Sequence, residues 1–402
     1  MSNDNKRKKK KRPSMARNVI GCIILLVAVF AIMVGVFSHL RKNEAAKQTE
    51  LAEMTTNETS KKEDVATESV VAAETDDIQE AVPEQAAEPT PEPVNIIVPV
   101  LPEAEDGSGA AGLMPMDESI MYLSCQDGWF VDNLNSWYSP DMVHIYYNGW
   151  QTIGEKSYHF DAAGMLDHGW KLIGGVSCYF DEAGVYHPEA DPNRLLAFTF
   201  DDGPSNGTGE LLDLCDQTGA RISFFLLGNL TDGYGDTIAR IQNSRCQLGS
   251  HSTDHTQMIK IGTEDCVNNF RISDELISLN GNGAQTDVYR FPYGDYTAEQ
   301  LAAVGKPGIM WSLDSLDWDL QDTNLIIERV LNQIGEGDII LMHDIYSTTI
   351  EACRYLFPYL ISQGYQLVTV KELAAAKGYT LEAGKSYFGF SNDKIAQGRV
   401  CQ

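Results

Sequence analysis

From Arg194 onward the chain alternates short apolar runs with amphipathic stretches, and this alternation restricts the fold more than any other feature of the sequence. Seven runs read as strands: residues 196–200, 222–227, 246–250, 288–291, 308–312, 338–342 and 366–370. They are mostly apolar rather than alternating, the pattern of strands buried on both faces. The stretches between them are helical in period; in 324–334, Ile327, Val330, Leu331 and Ile334 fall on one face. The expectation is an α/β fold in which a parallel sheet is covered by helices, and seven units in series suggest a seven-stranded (β/α) barrel. Chemistry in such a barrel belongs at the C-terminal ends of the strands.

The region before Arg194 is built differently. GWQTIGEKSYHFDAAGMLDH from Gly149 aligns without gaps on GWKLIGGVSCYFDEAGVYHP from Gly169, with nine identities in 20 positions, and a degenerate third copy begins at Gly128–Trp129. Aromatic strand residues and Gly turns at this period predict a small module of stacked β-hairpins that bury their rings only against their neighbours. Further upstream, residues 19–37 form a run of 19 uncharged, mostly apolar residues. As a helix it would be about 28 Å long, close to the roughly 30 Å of a bilayer core. Lys6 to Arg12 and Arg17 precede it, so the positive-inside rule puts the N-terminus in the cytoplasm and the remainder outside. A cleaved signal peptide is the competing reading, but the run is longer than an ordinary signal core, and Arg41 and Lys42 follow it without a small-residue cleavage site.

Charge is distributed unevenly. The net charge is −27, yet residues 1–17 carry eight basic side chains against one acidic, while 42–116 carry four basic and 17 acidic. An acidic body argues against nucleic-acid binding, which needs a positive face on the folded part. Residues 42–116 also hold seven of the 15 prolines and almost no aromatic residue, so they are expected to be a disordered tether. Of the eight cysteines seven lie outside the apolar run, without metal-type spacing, which leaves at least one unpaired in a monomer.

The polar motifs cluster where a barrel would place its chemistry. The first strand ends in TFDDGP, and the adjacent carboxylates of Asp201 and Asp202 are costly there without a metal or cationic partner. The third runs into HSTDH, whose His251 and His255 would share a face if the segment were helical. Two His and a carboxylate from different strand ends can close a three-ligand metal site with positions left open. RFPYG, DSLDW and LMHD mark three further strand ends. A non-haem iron site also uses two His and a carboxylate, but the parallel strand–helix series is the wrong setting for it.

In these five motifs, taken in order over residues 193–378, the chain resembles the polysaccharide deacetylase family, also called the NodB-homology or carbohydrate esterase family four domain. The resemblance implies a NodB-type (β/α) barrel and a divalent cofactor, Zn²⁺ first and Co²⁺ or another ion as alternatives, held by Asp202, His251 and His255. It makes Asp201 the catalytic base, Arg290 the residue that holds it, and His343, supported by Asp317, the catalytic acid. Pro292, Tyr293, Trp318 and Leu341 would bind substrate, with the Tyr293 backbone N–H facing the oxyanion. The residues before Arg194 resemble the cell-wall-binding, choline-binding type repeats of Gram-positive surface proteins. That makes Trp150, Trp170 and Tyr158 candidate ligand-binding aromatics, although Ser157 and Cys178 stand where further rings would be expected and packing alone is the rival reading.

The expected organisation is therefore a cytoplasmic basic tail (1–17), a transmembrane helix (18–38), an acidic linker (39–116), cell-wall repeats (117–190), the deacetylase domain (191–380) and a C-terminal tail (381–402). The expected activity is N-deacetylation of N-acetylglucosamine or N-acetylmuramic acid in cell-wall glycan, peptidoglycan before exopolysaccharide, by a single-pass membrane protein whose catalytic domain faces the wall. An O-deacetylase of the acetylxylan esterase type, or a non-catalytic wall-binding protein, are the alternatives.

Overall fold

A computed structural model of the chain describes residues 107–132, 135–398 and 400–401. The apolar run 19–37 and the acidic linker up to residue 106 lie outside the described residues. Among those described, no helix is long and apolar enough to cross a membrane.

All seven predicted strands are present, most of them shortened, the first lengthened and the sixth shifted by one residue: β1 (Leu195–Gly203), β2 (Ser223–Leu226), β3 (Gln247–Ser250), β4 (Val288–Tyr289), β5 (Gly308–Ile309), β7 (Ile339–His343) and β8 (Gln366–Leu367). Two more complete the sheet, β6 (Leu313–Asp314) and β9 (Ser386–Tyr387). The order is β6-β7-β1-β2-β3-β4-β5-β9, every pairing is parallel, and β8 pairs with the start of β1. The outcome is a curled half-barrel rather than the closed seven-stranded barrel expected. The cause lies in the fifth predicted strand, which divides. Gly308–Ile309 pairs with β4 and β9, Met310 N–H donates to Tyr387 O, Ser312 N–H donates to Ile339 O, and the chain continues as β6 along β7. Within the span 381–402, expected as a tail, Tyr387 and Phe390 are buried in the core beside Ile309 and Val370.

Strand alternation sorts the nine residues of β1 onto two faces. Leu196, Phe198 and Phe200 pack against the helices, meeting Leu211, Leu356 and Phe357, whereas Leu195 and Ala197 turn to the opposite face with Phe225, Val288 and Ile309. Thr199 and Asp201 share that second face by the same period, which carries polar groups to the top of the curl.

Before β1 the two sequence copies fold as antiparallel hairpins, Gly149–Ile153 with Lys156–Phe160 and Gly169–Ile173 with Val176–Phe180. In the second, Gly174 and Gly175 both have positive φ (56° and 79°), as a two-residue turn matching the strand twist requires. Their aromatics are enclosed. Trp150, Tyr158 and Trp170 are 6%, 8% and 3% exposed. The Trp150 ring lies 4.8 Å from Tyr186 and 5.5 Å from Phe180, and Tyr158 lies 5.1 Å from Trp129. Trp170 packs with Val370, Leu373 and Ala374, and its indole N–H donates to Gln366 Oε1 at 3.1 Å. Of the two readings of these aromatics, ligand contact and packing alone, burial this deep favours packing.

The second hairpin thus shares a core with the sheet domain. Ser177 Oγ donates to Ala375 O, and Glu182 meets both Arg221 and Arg245. Trp170→Ala should lower unfolding stability by about 3–5 kcal/mol, the usual cost of emptying a buried aromatic site. Equilibrium denaturation of the two proteins checks this, and an unchanged midpoint would show that the contact is not part of the folded core.

Candidate active site

β1 ends in Asp201 and Asp202, and β7, its neighbour, ends in His343; Asp201 and His343 are direct partners in the strand register. One carboxylate and one imidazole are therefore side by side by pairing alone. Asp202 has φ 71°, in the left-handed region, so two consecutive carboxylates leave the strand in different directions.

Asp202 Oδ1 is buried without a hydrogen-bond partner, and two imidazoles face it, with His251 Nε2 at 3.6 Å and His255 Nε2 at 3.5 Å. The three ligand atoms lie within 4.8 Å of one another. His251 Nδ1 lies 2.9 Å from Arg290 O, so a proton on Nδ1 donated to that carbonyl leaves the Nε2 lone pair turned to the cluster. Burial pulls the His251 pKa down to about 3, which keeps the ring neutral, as a ligand must be. An orphaned carboxylate oxygen and two imidazole nitrogens converging on one point fit a divalent cation. The helical H-x-x-x-H expectation is not met. His251 follows β3 and the chain then turns through Ser252 (φ 76°) and His255 (φ 60°), braced by His255 N–H donating to Ser252 Oγ and Thr253 N–H donating to Asn269 Oδ1.

Asp201 is held from the other side. Arg290 is fully buried; its Nη1 donates to Asp201 Oδ1 at 2.8 Å and to Thr199 Oγ1 at 2.9 Å, Nε to Ile309 O, and Nη2 to Met310 O. Its guanidinium also lies 4.3 Å from the centre of the Phe225 ring. Burial raises the Asp201 pKa above the ordinary carboxylate value against the pull of Arg290. His343 Nδ1 lies 2.8 Å from Asp317 Oδ1, and Asp317 Oδ2 accepts from the His343 backbone N–H and from Thr349 Oγ1. Burial opposes charge on His343, yet the hydrogen bond and charge of Asp317, with Asp201 and Asp202 nearby, lift its pKa to about 9. Asp201 and His343 thus stand side by side, each with its pKa raised above the ordinary value.

Residues 189–311 match the polysaccharide deacetylase family. The match lies in the part of the chain that carries Asp201, Asp202, His251, His255 and Arg290. The chain is 33% identical over 211 residues to the peptidoglycan-N-acetylglucosamine deacetylase PgdA of Listeria monocytogenes, covering 52% of this chain and 44% of that one. It is 32% identical over 189 residues to the peptidoglycan-N-acetylmuramic acid deacetylase PdaC of Bacillus subtilis, covering 46% and 40%. The chain thus spans less than half the length of these two relatives. Among solved structures, "T48 deacetylase with substrate" is 33% identical, with a TM-score of 0.47, and the match covers 49% of this chain and 99% of that one.

The expected substrate residues differ in exposure and position. Pro292 is buried, while Tyr293, at φ 63°, is 61% exposed with its ring 4.5 Å from His255. Leu341, on β7, is the register partner of Thr199 and is 5% exposed. Trp318 is 48% exposed, and its backbone N–H donates to Asp317 Oδ1. Trp150, Tyr158 and Trp170 belong to the hairpins and their contacts, apart from this cluster. Sequence reasoning passed over Thr199, Thr349 and Asp344. The LMHD motif could have flagged Asp344, a second acidic residue at the end of an apolar strand.

The division of labour between the adjacent carboxylates is testable. His255→Ala should weaken Zn²⁺ or Co²⁺ binding by more than the roughly 10–100-fold that loss of a supporting partner costs. Asp201→Asn should leave the ion bound while lowering turnover by about 10²–10⁴-fold. Calorimetric titration beside acetate release separates the two effects, and loss of the ion in Asp201→Asn would reverse the roles given to Asp201 and Asp202.

Proposed function

We propose that the chain is a divalent-metal-dependent N-deacetylase of cell-wall glycan, removing acetyl groups from N-acetylglucosamine or N-acetylmuramic acid of peptidoglycan. The observation that carries this reading is the pairing of Asp201 with His343 across β1 and β7, beside the Asp202, His251 and His255 cluster. The names of the relatives, both peptidoglycan deacetylases, support the substrate. The apolar run 19–37 behind a basic tail supports a single-pass anchor with the domain on the wall side.

A divalent ion, with Zn²⁺ the first choice for these donors, would be held by Asp202, His251 and His255 and would make a water easier to deprotonate and a carbonyl oxygen better able to bear charge. Asp201, fixed by Arg290, takes the proton of the water that attacks the acetamide carbon. His343 donates its Nε2 proton to the nitrogen as the C–N bond breaks, giving acetate and a free amine. Asp317, bonded to Nδ1, holds the ring in the orientation that leaves Nε2–H for this transfer. The Tyr293 backbone N–H is the proposed donor to the oxyanion. Trp318, Tyr293 and Leu341 would border the sugar and the acetyl methyl.

The substrate is checked by incubating purified muropeptides with the metal-loaded protein and following them by mass spectrometry. Loss of one acetyl group per modified sugar, with one new amine, is expected; intact muropeptides, or loss of O-acetyl groups only, would reject the reading. The acid makes a pH prediction. A raised folded pKa means that His343 stays protonated up to about pH 9, so activity should fall on an alkaline limb near that value. Asp317→Asn removes the partner that lifts it and should move the limb down toward the ordinary His value of about 6.5. A limb that does not move would show that His343 is not the group titrating there.

A further inference from the structure

Asp344 follows the proposed acid directly and is almost completely buried, at 1% exposure. Its side chain does not point to the acid's partners. Oδ2 accepts a hydrogen bond from Thr208 Oγ1, and Oδ1 is buried with no partner. Its backbone carbonyl accepts from Ser205 Oγ at 2.8 Å. Both Ser205 and Thr208 belong to the turn and helix start that follow Asp202, where the Ser205 backbone N–H also donates to Thr208 Oγ1 and Gly207 N–H to Ser205 Oγ.

The two glycines of that turn give the same message. A Cβ on Gly203 would lie 2.5 Å from Asp344 Oδ2, and one on Gly207 would run into Asp344 O. The chain after Asp202 can close around Asp344 only because neither residue has a side chain. Four consecutive features of DDGPSNGT, Gly203, Ser205, Gly207 and Thr208, are thus shaped by one residue of the neighbouring strand.

We propose that Asp344 is a positioning residue for the metal and base carboxylates: its buried side chain and backbone carbonyl form the mould on which the turn after Asp202 is set, fixing Asp201 and Asp202 relative to His343. Asp344 itself touches neither substrate nor ion. It acts through Gly203 and Thr208, and it places the strand end that carries the acid in register with the one that carries the base and a ligand. The inference rests on the deacetylase reading for its purpose, but its first readout does not.

That readout is Zn²⁺ or Co²⁺ affinity, measured by calorimetry on the full chain. Asp344→Ala should weaken binding by about 10–100-fold, the range for loss of a group that orients a ligand. Asp344→Asn keeps an oxygen to accept from Thr208 and should bind the ion almost as the natural chain does. Thr208→Val removes only the hydroxyl and should fall between them, so the proposal is still tested if Asp344→Ala does not fold. Gly203→Ala should weaken binding too, and less so in an Asp344→Ala background, where the obstructing carboxylate is gone. Folded Asp344→Ala or Thr208→Val proteins with unchanged ion affinity would overturn the proposal while leaving the deacetylase reading intact. Weakened affinity in a protein that removes no acetyl groups would support the proposal and reject the reading of function instead.

Discussion

A single buried cation holds the site together. The Arg290 guanidinium is sealed from water between the Phe225 and Trp311 rings, and its nitrogens reach Asp201, Thr199 and the carbonyls of Ile309 and Met310. Burying a charge is expensive unless its donors are met by well-placed acceptors. Here the acceptors come from β1 and from the segment where the fifth predicted strand divides, so one side chain ties the base to the irregular stretch that crosses from β5 to β6. Its own carbonyl accepts from His251, which links the same residue to the ligand cluster through the backbone. The Asp201 carboxylate is thereby fixed at one oxygen, while Oδ2 faces His251 at 3.6 Å.

Much of this was legible in the sequence because it follows from short-range pattern. Apolar runs of four to six residues located all seven predicted strands, and the motifs at their ends located Asp201, Asp202, His251, His255, Arg290, Asp317 and His343. What remained hidden depends on tertiary contact. The H-x-x-x-H spacing suggested a helical turn, but the chain takes positive φ at Ser252 and His255, in a loop held by Asn269 of the helix that follows it (Thr263–Asn280). The run 308–312 gave no sign that its hydrogen bonds pass from β4 to β7 midway. Two-residue β6 and β9 are too short to show a period, and β9 is recognisable only through the buried Tyr387 and Phe390 around it.

In the hairpins the pattern fixes the local fold and leaves the purpose open. The repeat of Trp, Phe and Gly at a fixed spacing specifies antiparallel hairpins whether their rings bind a ligand or each other. Burial decides between the two. Trp150 and Tyr158 are enclosed by rings from neighbouring segments, and Trp170 has become part of the sheet domain's core, bonded to Gln366 on β8. The second hairpin shares its core with the sheet domain.

The central claim, that Arg290 holds the base while the ion site stands without its side chain, is tested by measuring ion binding and deacetylation on the same Arg290→Gln protein. Removing one partner of a buried pair costs about 3–5 kcal/mol, so near-UV circular dichroism must first show that the protein is folded. The account predicts that Zn²⁺ or Co²⁺ still binds, because the carbonyl that orients His251 belongs to the backbone and survives the substitution. It also predicts that acetate release from an N-acetylated oligosaccharide falls by about 10²–10⁴-fold, the worth of a positioned proton acceptor. Turnover at the natural rate in a folded, ion-loaded Arg290→Gln protein would contradict it.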